Sequence, residues 1–63
     1  SSADAHSGMA SALAKNGKWK DAVREAERAV ALAQEYQLPL SVQAYYQERA
    51  GKLKESAAGK GAK

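Results

Sequence analysis

The sequence predicts an all-α fold of three antiparallel helices, and three observations support it. Two breaks, "KNG" at 15–17 and "QLPL" at 37–40, divide the chain into three segments. Within each segment, apolar residues recur every three or four positions, which is the period of a helix. Both connectors are short, so consecutive helices are expected to run antiparallel.

The first helix is expected to begin near Ser1 or Ser2, because serine is a favourable N-cap. Asp4 then lies in the first turn, where the helix dipole favours a negative charge. The apolar strip of this helix consists of Met9, Ala10 and Leu13, extended by Ala3 and His6. Asparagine and glycine tolerate the left-handed backbone of a helix exit, so the helix is expected to end in a turn at Gly17.

The second helix is expected to run from about Trp19 to about Tyr36. Four alanines recur along it at helical spacing and are called the alanine stripe: Ala22, Ala26, Ala29 and Ala33. Because small residues let helix axes approach to ~8 Å, the stripe is predicted to be the floor of two close helix contacts. The residues expected to press on it are Met9 and Leu13 from the first helix and Val42 or Tyr46 from the third.

The third helix is expected to run from about Pro39 to about Ser56, since proline is favoured in a first helical turn. The remainder, 57–63, contains two glycines and no bulky apolar residue, and it is interpreted as a flexible basic tail. The predicted organisation is therefore a helical hairpin at 1–36, a capping helix at 37–56 and a tail at 57–63.

Composition indicates a thin core. The chain has 63 residues and is 44% hydrophobic, but more than half of those hydrophobic residues are alanine. A single core in so short a chain supplies only ~3–5 kcal/mol, and the absence of cysteine excludes disulfide bonds. We therefore expect a partner, a second copy of the chain or the rest of a longer repeat array to cover part of its surface. Ala3, His6 and Ala10 are expected to be left exposed without such cover.

Charge is concentrated at the C-terminal end. Residues 1–50 carry no net charge, whereas residues 51–63 carry the whole net charge of +3. The tail lysines are not interleaved with aromatic residues, so a solvated tail is favoured over a nucleic-acid or membrane contact. No apolar run approaches the ~18 residues of a membrane span.

The residues that could carry chemistry are few. His6 is the only histidine, and only Asp4 and Ser7 lie near it in sequence, so neither a metal site nor a cofactor site is predicted. Ser7 and Ser11 have no neighbouring base that could activate them. The sequence contains no phosphate-binding loop and no acid–base pair, and it therefore predicts a protein that is not an enzyme.

Tyr45 and Tyr46 are candidates for a binding role. Adjacent helical residues are ~100° apart around the axis, so the two rings cannot enter one core. One ring is expected to be buried and the other to lie at the edge. Since tyrosine is enriched at the centres of interfaces, the outer ring is a candidate anchor for a partner.

A helix pair joined by "NGKWKDA", with alanine at Ala22 and Ala29, resembles a tetratricopeptide repeat, a helix–turn–helix unit that stacks into a superhelix. The resemblance covers about 2–34, and "VQAYYQERAGKLKE" resembles the helix that closes bacterial arrays of this family. The positions that match the family pattern are Met9, Leu13, Gly17, Trp19, Ala22 and Ala29. Departures include Ala26, where a large aromatic residue is usual, and the closing proline, which comes late at Pro39.

The resemblance implies a non-enzymatic scaffold or accessory subunit that binds a protein or peptide, with this chain at the C-terminal end of a solenoid. In the family, the first helix of each repeat faces the ligand, and the corresponding residues here are Asp4, Ser7, Ser11, Ala14 and Lys15. Of the residues that clamp a peptide carboxylate in chaperone-binding members, only Lys15 is present, which disfavours a clamp.

The sequence also supports an alternative prediction of the family and function. The third segment also resembles, more loosely, the last helix of the microtubule-interacting-and-trafficking domain. The alternative prediction is therefore an adaptor, either similar to that domain or a helical unit with a basic tail, that binds a peptide, nucleic acid or an anionic membrane surface.

Overall fold

Three helices joined by two short turns form the whole described part of the chain. A computed structural model describes the backbone of residues 2–61 and the side chains of residues 2–59. Helix α1 spans Ser2–Lys15, α2 spans Trp19–Glu35 and α3 spans Leu40–Gly61, and no strand occurs among the described residues. The predicted all-α, three-helix fold is confirmed.

Both turns end their preceding helices in the same way. After α1, the N–H of Lys18 donates to the carbonyl of Leu13 and the N–H of Gly17 donates to the carbonyl of Ala14, with Gly17 at φ 77°. These two bonds satisfy helix-terminal carbonyls in the Schellman arrangement, and glycine adopts the required positive φ without steric cost. The turn predicted at Gly17 is confirmed.

After α2, the same pair of bonds runs from Leu38 to Ala33 and from Gln37 to Gln34. Here the residue at positive φ is Gln37, at 52°, so a side chain occupies a conformation that glycine adopts more easily. The turn brings Leu38 back against the core. The chain enters α3 at Leu40, one residue after Pro39, whose carbonyl accepts hydrogen bonds from the N–H groups of Val42 and Gln43.

Helix α2 is the centre of the fold, since both α1 and α3 pack along it. All four residues of the alanine stripe are buried, with exposed fractions between 0% and 4%. Three of them, Ala26, Ala29 and Ala33, belong to two clusters of buried residues. The Tyr46 cluster contains Ala3, Ala29, Ala33 and Tyr46, and the Ala50 cluster contains Ala10, Ala26 and Ala50. Val30 packs against both clusters. The stripe is therefore the floor of the helix contacts, as predicted.

The residues that cover the stripe differ in part from those expected. Tyr46 and Val42 of α3 do pack on it, but Met9 of α1 is 50% exposed. Ala3 and Ala10, both 2% exposed, take its place. They lie seven residues apart, about two helical turns, so they form one narrow alanine face on α1. Because small residues meet small residues there, α1 can approach α2 closely, and the longer Met9 side chain points to solvent.

This arrangement corrects the expectation that Ala3, His6 and Ala10 would be exposed. Ala3 and Ala10 are covered by α2 and α3, and the side chain of His6 is 26% exposed beside Glu25 of α2. Helix α1 therefore needs no preceding repeat to bury its alanine face. The prediction that these three residues would be exposed in the isolated chain is wrong.

Helix α3 is also longer than predicted. It has 22 residues and continues through Gly61, five residues beyond the expected end at Ser56. The interpretation of 57–61 as an irregular tail is therefore corrected to helix, and Ala62 and Lys63 lie outside the described residues. Alanine has the highest helix propensity, and Ala57 and Ala58 offset part of the cost of Gly59 and Gly61. The serine N-cap expected at Ser1 lies outside the described residues, and Ser2 is already helical.

Candidate partner-binding face

The face where α1 meets α3 is the candidate site, because five of the six residues proposed for partner binding contribute to one chain of contacts there. Their contacts join Asp4, Ser7 and Ser11 of α1 to Tyr45 and Tyr46 of α3. The sixth residue, Lys15, is exposed in the last turn of α1 and makes none of these contacts. We call this region the α1/α3 face.

The first contact of the face joins a buried tyrosine to an exposed aspartate. The hydroxyl of Tyr46 donates a hydrogen bond to Oδ1 of Asp4. The Tyr46 side chain comes from α3, is 4% exposed and lies in the Tyr46 cluster. The bond to Asp4 stabilises the neutral phenol, and together with burial and the charge of Asp4 it raises the pKa of Tyr46 to about 12. The phenol therefore acts as a fixed donor that ties α3 to the first turn of α1.

The second contact presents an aromatic ring to solvent. The ring of Tyr45 meets that of Tyr46 edge to face, with centroids 5.4 Å apart and an interplanar angle of 63°. Tyr45 is 54% exposed, whereas Tyr46 is buried. The prediction that one ring is buried and the other lies at the edge is confirmed. Contact with the buried Tyr46 ring restricts the side-chain conformations of Tyr45. An aromatic residue that is already restricted in this way loses less entropy when it binds a partner.

Arg49 completes the face, although the sequence did not identify it as a candidate. Its guanidinium carbon lies 5.6 Å from the centroid of the Tyr45 ring, a distance typical of a cation–π contact. One of its N–H groups donates to Oγ of Ser11 over 2.9 Å, and Ser11 in turn donates to the carbonyl of Ser7 over 3.4 Å. The only sequence signal was the spacing of four residues between Tyr45 and Arg49, which places them on one side of a helix.

A cleft of about 200 Å³ continues the face toward the α1–α2 turn. Its walls are formed by Ala14, Trp19, Arg49, Lys52, Leu53 and Ser56. Trp19 is half-buried and contributes a wall of this cleft. Arg49 belongs both to the cleft and to the chain of contacts around Tyr45.

Two polar contacts with α2 lie elsewhere on the bundle. Nδ1 of His6 is 2.5 Å from Oε1 of Glu25 and joins α1 to α2. Nζ of Lys54 is 2.7 Å from Oε2 of Glu27 and joins α3 to α2. That second ion pair borders a groove of about 370 Å³ between α2 and α3, lined by Val30, Ala31, Gln34, Gln47, Ala50 and Gly51.

No further type of site is found in the described part of the chain. Within residues 2–59, no group of three or more His, Asp or Glu side chains is placed to hold a metal ion. None of the described helices is long and apolar enough to cross a membrane.

Comparison of the chain with models of known protein families, with curated proteins and with solved structures gave no match.

Proposed function

We propose that this chain is a non-enzymatic interaction module that binds a protein or peptide along the α1/α3 face. The observation that carries the proposal is the position of Tyr45, a half-exposed ring held between the buried Tyr46 and the Arg49 guanidinium. Tyrosine and arginine dominate the energetics of protein interfaces. Contacts that fix them before binding lower the entropy lost when a partner arrives.

We further propose that the module is the C-terminal unit of a scaffold of the tetratricopeptide type, with α1 and α2 as the repeat and α3 as the capping helix. The left-handed Gly17 and the burial of Ala22 and Ala29 support this reading. The exposure of Met9 departs from it, since the family pattern places a large apolar residue inward at this position. The α1/α3 face is then the counterpart of the ligand-facing side of a repeat array.

A second candidate function, an adaptor that binds an anionic surface, is favoured by the placement of the lysines. The five lysines with described side chains lie in 15–20 or in 52–54, and the antiparallel fold brings these stretches to the same end. The two candidates differ in salt dependence. Binding to nucleic acid weakens steeply as salt rises because counterions are released, whereas a packed helical interface is much less sensitive.

Photo-crosslinking tests the main proposal and identifies the partner. A photoreactive phenylalanine analogue replaces Tyr45 in one version of the chain and Tyr36 in a control version. Tyr36 is also an exposed tyrosine, 65% against 54%, but it follows the last turn of α2 and takes part in none of the contacts that define the α1/α3 face. Each version is irradiated in an extract of the source cells.

We expect a discrete adduct at position 45 and a much weaker one at position 36. Excess unlabelled chain should abolish the adduct, whereas excess chain carrying Tyr45→Ala and Arg49→Ala should not. Equal labelling at both positions, or equal competition by the double variant, would contradict the proposal.

A further inference from the structure

The end of the bundle formed by the α1–α2 turn and the second half of α3 is basic. Five lysines with described side chains lie there: Lys15, Lys18, Lys20, Lys52 and Lys54. The acidic residues near these lysines are Asp21, Glu55 and Glu27, the last of which pairs with Lys54 at 2.7 Å, and Glu48 lies one turn before Lys52. At the opposite end, the first turn of α1 carries Asp4 and the last turn of α2 carries Glu35. The fold thus creates a charge polarity along the bundle.

The cleft described above opens at the basic end and combines charge with apolar walls. Arg49 and Lys52 provide two cations, whereas Trp19, Leu53 and Ala14 provide apolar surface. No carboxylate lines the cleft. The nearest acidic contact is that of Glu48 with Lys52, at 4.0 Å between two side chains that are 72% and 75% exposed, and such a pair contributes little.

The guanidinium of Arg49 is oriented by two contacts that leave it able to bind an anion. Its bond to Ser11 and its position over the Tyr45 ring fix the orientation of the guanidinium. A guanidinium has five N–H donors, of which Ser11 accepts one. The planar arrangement of these donors matches the two oxygens of a carboxylate.

We propose that this cleft binds a protein segment in which an aspartate or glutamate flanks a large apolar side chain. The apolar side chain enters the cleft against Trp19 and Leu53, and the carboxylate pairs with Arg49 and Lys52. This inference rests on the proposed function and specifies the chemistry of the partner. Because the carboxylate belongs to a side chain, the segment need not be a free C-terminus.

Charge complementarity alone would also admit nucleic acid or an anionic membrane, but the rest of the surface favours a protein segment. Phosphate contacts do not require an apolar cleft beside the cations. A basic membrane-binding helix carries its apolar face next to its lysines. Here the most exposed large apolar residues, Leu40 and Tyr36, lie at the opposite end of the bundle from the lysines.

The chain contains a single tryptophan, so the emission of Trp19 reports on the cleft without labelling. The probe is the acetylated and amidated peptide Glu-Glu-Leu-Glu-Glu, titrated into the full chain at low salt. Two matched peptides test separately whether binding requires negative charge and whether it requires an apolar side chain. Lys-Lys-Leu-Lys-Lys reverses the charge, and Glu-Glu-Ser-Glu-Glu removes the apolar side chain.

The protein variants are Arg49→Gln and Lys52→Gln, with Lys54→Gln as the control. Lys54 lies on the same helix but pairs with Glu27 across the α2/α3 groove, and it does not line the cleft. We expect the acidic leucine peptide to shift the Trp19 emission and both matched peptides to bind at least roughly fivefold more weakly. Arg49→Gln and Lys52→Gln should each weaken binding roughly two- to fivefold, the range of an exposed ion pair, and Lys54→Gln should leave it unchanged.

Each other outcome would overturn the inference. Equal binding of the acidic and basic peptides would remove the charge requirement while leaving the face as a protein-binding surface. A Trp19 shift with duplex DNA or with phosphatidylserine vesicles, and none with the peptides, would assign the basic end to a phosphate ligand. Binding of the acidic peptide that is insensitive to Arg49→Gln and Lys52→Gln would place the site elsewhere. The proposed function fails separately, if the photoreactive group at position 45 captures no partner.

Discussion

The hydroxyl of Tyr46 on α3 donates a hydrogen bond to Oδ1 of Asp4 on α1, joining residues that lie 42 positions apart in the chain. The Tyr46 ring packs with Ala29 and Ala33 of α2, so this side chain contacts all three helices. It is also the only buried residue larger than alanine among the described residues. The buried core therefore consists of one large side chain and seven alanines, with partly buried aliphatic residues packed against them.

The first prediction concerns pH. The pKa of Tyr46 is raised from 10.0 to about 12, so the folded state holds its proton more tightly than the unfolded state does. This contribution to the free energy of unfolding is fully present below pH 10, the unfolded value, and is lost as the pH rises toward 12. Each unit of pKa corresponds to about 1.4 kcal/mol, but Asp4 is exposed and solvent screens its interaction with the phenol, so we expect the contribution to be on the order of 1 kcal/mol.

Urea melts at pH 8, 10 and 11.5 test this prediction. Other tyrosines and the lysines also titrate in this range, so the informative quantity is the difference between the wild-type chain and Tyr46→Phe. We expect Tyr46→Phe to be less stable at pH 8 and the difference to shrink as the pH rises. A difference that stays constant across the three pH values would mean that the hydroxyl does not bond to Asp4.

The second prediction concerns the alanine stripe. Ala29 is 1% exposed at the contact with Tyr46, so Ala29→Leu inserts three carbon atoms where no space exists. We expect a loss of ~1–3 kcal/mol in the free energy of unfolding because the helix axes must separate. The control is Ala31→Leu, an exposed alanine of the same helix, which should change stability by no more than about 0.5 kcal/mol. Equal effects of the two substitutions in denaturant melts would show that the stripe is not the floor of the helix contacts.

The third prediction compares the two helix exits. Gly17 and Gln37 occupy equivalent positions of the two turns, both at positive φ. Gly17→Ala should destabilise the chain by about 1 kcal/mol, and Gln37→Gly should stabilise it by up to about 1 kcal/mol. The third variant, Gly51→Ala, tests ordinary helix propensity, because the added Cβ meets nothing within 4 Å. It should stabilise α3 by about 0.5–1 kcal/mol. Thermal melts that gave Gly17→Ala and Gly51→Ala the same sign would contradict the turn geometry.

The sequence predicted the helix order and both turns because these depend on local rules. Gly17 follows asparagine and takes the positive φ that ends α1, and Pro39 lacks the N–H that a continuing helix needs. The recurrence of alanine at three and four residues identifies the buried side of α2. The wrong predictions concern features that local rules did not capture. Periodicity favoured Met9 because it is the larger apolar residue, but the close approach of two helices selects Ala3 and Ala10. The end of α3 was missed because a count of glycines and large apolar residues ignores the high helix propensity of alanine.

The candidate site could be predicted only in part from the sequence. Asp4, Ser11, Tyr45 and Tyr46 were identified from the sequence, and the structure brings them together. Arg49 and Lys52 were missed because their importance depends on where α3 passes α1 and Trp19, which no local pattern specifies. The basic end was also missed, since the lysines of 15–20 and of 52–54 meet only in the antiparallel fold.

The fourth prediction concerns cooperativity. The stripe residues Ala29 and Ala33 share their cluster with Tyr46, and Ala26 shares its cluster with Ala50. Removal of Leu38–Lys63 should therefore leave α1 and α2 largely unfolded, with a weak helical signal in circular dichroism and no cooperative melt. A chain that ends at Ser56 is the control. It keeps every residue of both clusters and should melt cooperatively. A stable, cooperatively melting hairpin from the longer deletion would show that α3 is not required for the fold.

The central claim is that a protein partner binds the α1/α3 face through Tyr45, and the affinity of two tyrosine variants for the crosslinked partner tests it most directly. Isothermal titration calorimetry compares the wild-type chain with Tyr45→Ala and Tyr36→Ala, after circular dichroism has shown that each variant is folded. We predict that Tyr45→Ala weakens binding by about thirtyfold, which corresponds to the ~2 kcal/mol of an interface hot spot, and that Tyr36→Ala changes it less than about threefold. Equal affinities of the wild-type chain and Tyr45→Ala would contradict the claim.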